Sequence, residues 1–217
     1  MYTSPSIVFG FHGCDQSVAD LVLHEGKVLA PSEESFDWLG HGIYFWEGSE
    51  SRALEWAEKK QAEGKIKKPA VIGAIIRLGN CLDLLDDRCI KSVSTTYKIL
   101  EAEFADIGES LPLNKDTDKN GISFRRELDC RVIERLHQLN NTLIADKLGL
   151  KSSTRSKRIQ TNPDFIDSVR GMFPEGDHLY PMAGFRALNH IQLCVVNPNC
   201  ILGYFKPRVS NTNYKAF

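Results

Sequence analysis

The chain has 217 residues, 42% hydrophobic and 25% charged, with 27 basic and 28 acidic side chains and a formal charge of −1. This is the composition of an ordinary globular protein with room for one sizeable domain, and its near-neutral charge excludes a global field that recruits nucleic acid or an anionic membrane. No apolar run approaches the roughly 20 residues of a membrane span, and residues 1–5 lack the basic and apolar blocks of a secretory signal, so a cytoplasmic protein with no membrane partner is expected.

Ile7 to Phe11 is a short apolar run that ends in His12 and Gly13, and it predicts a buried strand with the histidine at its C-terminal edge. A helix follows, with Ser17 as N-cap, Asp20 three residues on, Val18, Leu21 and Val22 as its apolar face, and Gly26 as its stop. Residues 27–38 read as a loop. The stretch from Gly40 to Phe45 places two glycines around His41 and then Tyr44 and Phe45. Ser49 or Ser51 caps a second predicted helix with Ala53, Leu54, Trp56 and Ala57 as its stripe, ended by Gly64. Lys65 to Lys68 is a basic connector, and residues 70–76 form a β-branched, apolar run expected to be a central strand. Cys81 to Leu84 reads as a short edge strand.

From about residue 89 to 160 the pattern is helical. Ile90, Val93, Tyr97, Leu100, Phe104 and Ile107 share one face, and Leu128, Val132, Ile133, Leu136 and Leu139 share another, with a polar loop over residues 111–121 between them. The basic run from Lys151 to Arg158 reads as a surface loop or a phosphate contact. Residues 165–176 predict a strand and turn, residues 177–184 a loop, and residues 191–196 and 200–205 the two strands of a hairpin turned by Asn197 and Pro198. Six cysteines are scattered without metal-ligand spacing, and Cys130 and Cys194 read as core residues, so no zinc or other metal site is expected. Strands at both ends with helices between them predict an α+β fold in a single domain over residues 1–217. No internal repeat is present.

Glycines on both sides of His41 permit a positive φ or a close ligand approach, and Tyr44 can present its face to a flat ring. A glycine turn feeding a buried strand is the alternative. Together, His12-Gly13, the block from Gly40 to Phe45 with its small-residue tail at Ser49, Ser51 and Ala53, and Gln192 in a C-terminal strand resemble the ADP-ribosyltransferase superfamily. The likeness is to its diphtheria-toxin-like and poly(ADP-ribose) polymerase-like branch. The resemblance implies a core of two small antiparallel sheets around an NAD cleft, with residues 89–160 as a helical insertion. It implies NAD as the substrate and no metal.

Carried over by position, His12 binds a ribose hydroxyl, Gly13 holds the nicotinamide carboxamide through its backbone, Tyr44 stacks on the ring, and Gly42 and Ser51 complete the cofactor contacts. The third position, often glutamate in the family, is Gln192, which accepts a hydrogen bond but supplies no negative charge. Glu175 is an alternative source of that charge. Arg170, Glu175, Tyr180 and Arg186 are candidates for contacting the acceptor, although the last two serve equally well as loop anchors. The resemblance thus implies a mono-ADP-ribosyltransferase acting on a protein or single-stranded nucleic acid, with an intracellular toxin or defence role and a neutralising partner protein by analogy. Its rivals are an NAD glycohydrolase, a silent NAD- or ADP-ribose-binding module and, more distantly, an RNA phosphotransferase.

Overall fold

Strand β1 (Ile7–Asp15) runs straight into helix α1 (Gln16–Glu25). The helix starts one step before the expected cap: Asp15 accepts from the Ser17 backbone N–H at 3.0 Å and also from its hydroxyl, so Ser17 lies inside the first turn. Gly26 closes the helix in the left-handed conformation at φ 66°, as expected of a glycine stop. The computed structural model describes residues 5–119, 121–150 and 156–208. Most of the Lys151 to Arg158 run lies outside the described residues.

The remaining elements are β2 (Ile43–Glu47), α2 (Glu50–Ala62), β3 (Pro69–Arg77), β4 (Cys81–Asp83), α3 (Asp87–Asp106), β5 (Asn114–Thr117), β6 (Ser123–Arg126), α4 (Glu127–Lys147), α5 (Lys157–Gln160), β7 (Ser168–Phe173), β8 (His190–Val195) and β9 (Ile201–Phe205). The fold mixes α and β, as expected. Instead of two small antiparallel sheets, it contains one seven-stranded mixed sheet in the order β4-β7-β8-β2-β1-β3-β9 and a separate β5–β6 hairpin. The hairpin expected of residues 191–196 and 200–205 does not form: β8 pairs with β2 and β7, and β9 crosses to the other side of the sheet to pair with β3. The sheet is mixed because β4 and β7 pair in parallel, joined by the long connection through α3 and α4. The polar segment over residues 111–121 is not all loop, since β5 lies within it.

Two halves of the sheet meet at a narrow seam. Strand β1 pairs with β3 along its whole length, from Ile7 opposite Arg77 to Asp15 opposite Pro69. Strand β2 pairs with β8 from Ile43 to Trp46. Between β1 and β2 only Gly10–Glu47 and Phe11–Trp46 are in register. Beyond them, His12–Asp15 and Ile43–Phe45 each keep a single strand partner, and the sheet parts.

Alternation along the strands sorts the core into two layers. Val8, Ile43, Phe45, Ile72, Ala74, Ile76, Leu193 and Val195 pack with Ala19 and Val22 of α1. Leu39, Val169 and Cys194 pack with Ile133 and Leu136 of α4, and Tyr44 joins them. Among the described residues, no helix is long and apolar enough to cross a membrane.

Arg170 ties three strands of one half together. Its guanidinium donates to Glu47 through Nε at 2.7 Å and Nη2 at 2.9 Å, and through Nη1 to Asp83 at 3.2 Å. Arg170 and Asp83 are both buried. Removing the cation leaves a buried carboxylate uncompensated, so Arg170→Ala should lower the unfolding free energy by about 3–5 kcal/mol. Urea denaturation followed by circular dichroism measures this.

Candidate active site

The parted seam brings the sequence-predicted residues onto three neighbouring strands, β1 with His12 and Gly13, β2 with Tyr44, and β8 with Gln192. His12 Nδ1 lies 2.8 Å from the Tyr44 carbonyl oxygen. A carbonyl only accepts, so Nδ1 carries the proton and Nε2 keeps its lone pair in the neutral ring. Burial lowers the His12 pKa, outweighing that hydrogen bond. The Tyr44 hydroxyl donates to the Gly40 carbonyl at 2.8 Å and accepts from the Leu39 N–H at 3.0 Å. Burial pushes its pKa well up, so it stays a neutral phenol. The His12 ring meets Phe45 edge-on at 5.8 Å, in the α1 layer, whereas the Tyr44 ring lies in the α4 layer. What the two share directly is the Tyr44 peptide.

The glycines of both motifs are explained by close packing. A Cβ on Gly13 would lie 2.2 Å from the Ala53 carbonyl oxygen, and one on Gly42 would lie 2.6 Å from both Cys194 Sγ and the Val195 carbonyl oxygen. Gly40 has φ +80°, and a Cβ there would lie 2.7 Å from Glu134 Oε1. Glu134 also accepts from the His41 N–H at 2.8 Å, which pins this turn to α4. Ser51 is exposed in the first turn of α2, with its hydroxyl 3.4 Å from that of Ser49.

Gln192 stands between Trp46 of β2 and Gly171 of β7. Its amide oxygen accepts from Trp38 Nε1 at 2.7 Å. Gly171 makes this possible, because a Cβ there would lie 2.8 Å from the Trp38 ring. Two residues earlier on the same face is His190, stacked on Phe173 with ring centroids 5.5 Å apart. Glu175 reaches the same place: its Oε2 accepts from Arg52 Nη2 at 2.6 Å and lies 3.8 Å from His190 Nδ1. Tyr180 is exposed in the following loop, which is closed by an antiparallel backbone bridge between His178 and Arg186.

Trp38, Trp46, Arg52 and His190 are site neighbours that the sequence-derived set omits. Trp46 and Arg52 sit inside or just after the second motif, and His190 is one strand period before Gln192, so motif position and alternation carried the signal. Among the described residues, Trp46 Nε1, Arg52 Nε and His190 Nε2 are buried and find no hydrogen-bond partner. His190 Nδ1 lies 2.7 Å from the Leu188 carbonyl and so carries the proton, and burial lowers its pKa despite that bond. The cluster therefore offers two N–H donors and one imidazole lone pair. A hydroxyl or a carboxamide, which both donates and accepts, matches this set.

Among the described residues, no group of three or more His, Cys, Asp or Glu could hold a metal ion. All six cysteines are free, and burial pushes the Cys81 and Cys130 thiols up to about 12, as suits core residues. A groove of about 680 Å³ borders the cluster, lined in part by Phe124, Glu175, Asp177 and Leu188.

In sequence the chain is 25% identical over 206 residues to the uncharacterized protein MJ0359 of Methanocaldococcus jannaschii, an alignment covering 88% of this chain and 83% of that protein. No family model matches the chain, and no solved structure matches it.

Three imidazoles, His12, His137 and His190, have lowered pKa values, each chiefly through desolvation. They stay neutral in the fold, while unfolded imidazoles gain protons below about pH 6.5. Stability present above that value should fall as the pH drops below it. The urea midpoint should therefore decrease between pH 7.5 and 5.5, less steeply in His137→Gln.

Proposed function

We propose that the protein is an NAD-dependent mono-ADP-ribosyltransferase. The observation that carries this reading is the parting of the sheet at His12 and Tyr44, with Gln192 on the adjoining strand. Two of the three motifs of the resemblance thereby border one break in the hydrogen-bonded sheet, and the third, at Gln192, lies on the next strand opposite Trp46. The unpartnered nitrogens of Trp46, Arg52 and His190 support it, since NAD brings both ribose hydroxyls and a carboxamide.

In this reading the bond between the nicotinamide nitrogen and the ribose anomeric carbon breaks, and nicotinamide leaves with the electron pair. The acceptor nucleophile bonds to the same carbon and loses its proton. The intervening oxocarbenium-like state is positive and is favoured by nearby negative charge. Gln192 is neutral and its oxygen already accepts from Trp38, so its role is orientation. Glu175 is the carboxylate of the cluster, and Arg52 holds it in place. The His190 Nε2 lone pair is suited to receive the acceptor's proton. The exposed Tyr180 and neighbouring Arg186 flank the approach of a macromolecular acceptor, protein or single-stranded nucleic acid.

Incubation with NAD labelled in its adenylate, followed by separation of protein, RNA and DNA, should give labelled macromolecule and free nicotinamide. Release without transfer would indicate a glycohydrolase instead, and binding without release a silent module. Glu175→Gln should cut nicotinamide release by about 10²–10³-fold, as loss of a transition-state contact does. Gln192→Ala should cost less, and Tyr44→Ala should weaken NAD binding and turnover together. Retention of full turnover in Glu175→Gln would remove that residue from the mechanism.

A further inference from the structure

Arg126 ends β6 and lies against the wall of the site just described. Its guanidinium carbon is 4.4 Å from the centre of the Phe173 ring and 4.9 Å from that of Trp38. Those two rings meet edge to face at 5.3 Å. Each is coupled to a motif residue: Trp38 donates to Gln192, and Phe173 stacks on His190. The guanidinium has sparse polar company, with Nε donating to the Ser123 carbonyl at 3.0 Å and Nη1 3.7 Å from Asp129. Its side chain is only 14% exposed, and burial lowers its pKa, outweighing the opposing charge of Asp129. A desolvated cation here is held mainly by aromatic faces.

A guanidinium on aromatic rings is flat, delocalised and positive. A pyridinium ring has the same three properties. We propose that Trp38 and Phe173 form the platform for the pyridinium end of the dinucleotide, and that Arg126 occupies it in cis as a plug. This rests on the NAD reading above and adds regulation to it. The plug is carried by the β5–β6 hairpin, two strands of four residues each, with most of their residues exposed. A lone two-stranded hairpin is marginally stable. This one is tethered by Asn114, whose side-chain oxygen accepts from the Leu128 N–H at 3.0 Å and whose amide donates to Asp129 at 2.9 Å, and by the Lys119–Asp177 ion pair at 3.0 Å. Displacing the hairpin frees the rings.

The test compares the intact chain with Arg126→Ala and Asn114→Ala. The first removes the plug, and the second leaves Arg126 in place but loosens the hairpin. The probe is the 1-methylnicotinamide cation, titrated against tryptophan fluorescence, with nicotinamide release from NAD measured in parallel. If the plugged form dominates, Arg126→Ala should bind the probe about tenfold tighter than the unaltered protein, and Asn114→Ala should shift in the same direction by less. Tighter probe binding without cleavage of NAD by any of the three proteins would uphold the plug and overturn the transferase reading. Probe binding that is no tighter in either variant would overturn the plug, and equal NAD cleavage by all three would then leave the transferase reading standing.

Discussion

Two backbone pairings, Gly10 with Glu47 and Phe11 with Trp46, join the halves of the sheet, and the site follows from how short that seam is. Past the seam β1 keeps β3 and β2 keeps β8 on their outer edges, while the two edges that face each other diverge and no longer pair. Their free edges need other partners. The His12 side chain, reaching the Tyr44 carbonyl, supplies one. A pair of strands that zipped fully would leave no break at the motif residues.

Close packing around the seam explains why the motifs are rich in glycine. Gly13 lets α2 approach β1, Gly42 lets the turn approach β8, and Gly171 leaves space for the Trp38 ring. Each position would bring a methyl group into backbone or ring atoms. The same glycines that a ligand-binding reading assigns to NAD thus also set the distance between layers. The polar side chains beside them are hydrogen-bonded with few exceptions, and three of the exceptions, on Trp46, Arg52 and His190, fall in one place. Buried orphan nitrogens are costly, and their grouping distinguishes this face of the sheet from the α1 face.

The segment between β4 and β7 does more than lengthen the chain. Helix α4 supplies Glu134 to the Gly40–His41 turn and Ile133 and Leu136 to the core beneath Tyr44. The hairpin before it brings Arg126 onto Trp38 and Phe173. An element that the motif resemblance leaves unexplained is therefore in direct contact with the motif residues.

Local patterns in the sequence were sufficient for the main strands, for the amphipathic helices α3 and α4, and for the Gly26 stop, because each depends on side-chain periodicity or on one residue's backbone freedom. The hairpin β5–β6 was missed because Asn114–Thr117 and Ser123–Arg126 bury too little to show an alternating apolar face. Sequence order could place His12, Tyr44 and Gln192 near strand ends, but not on adjacent strands, and a residue count is silent on where a sheet parts. Arg170 illustrates the limit. Named from the sequence as a candidate acceptor contact, it is the buried partner of Glu47 and Asp83, residues 123 and 87 positions away. Pairings over such separations are set by which strands lie side by side, and that only the tertiary structure decides.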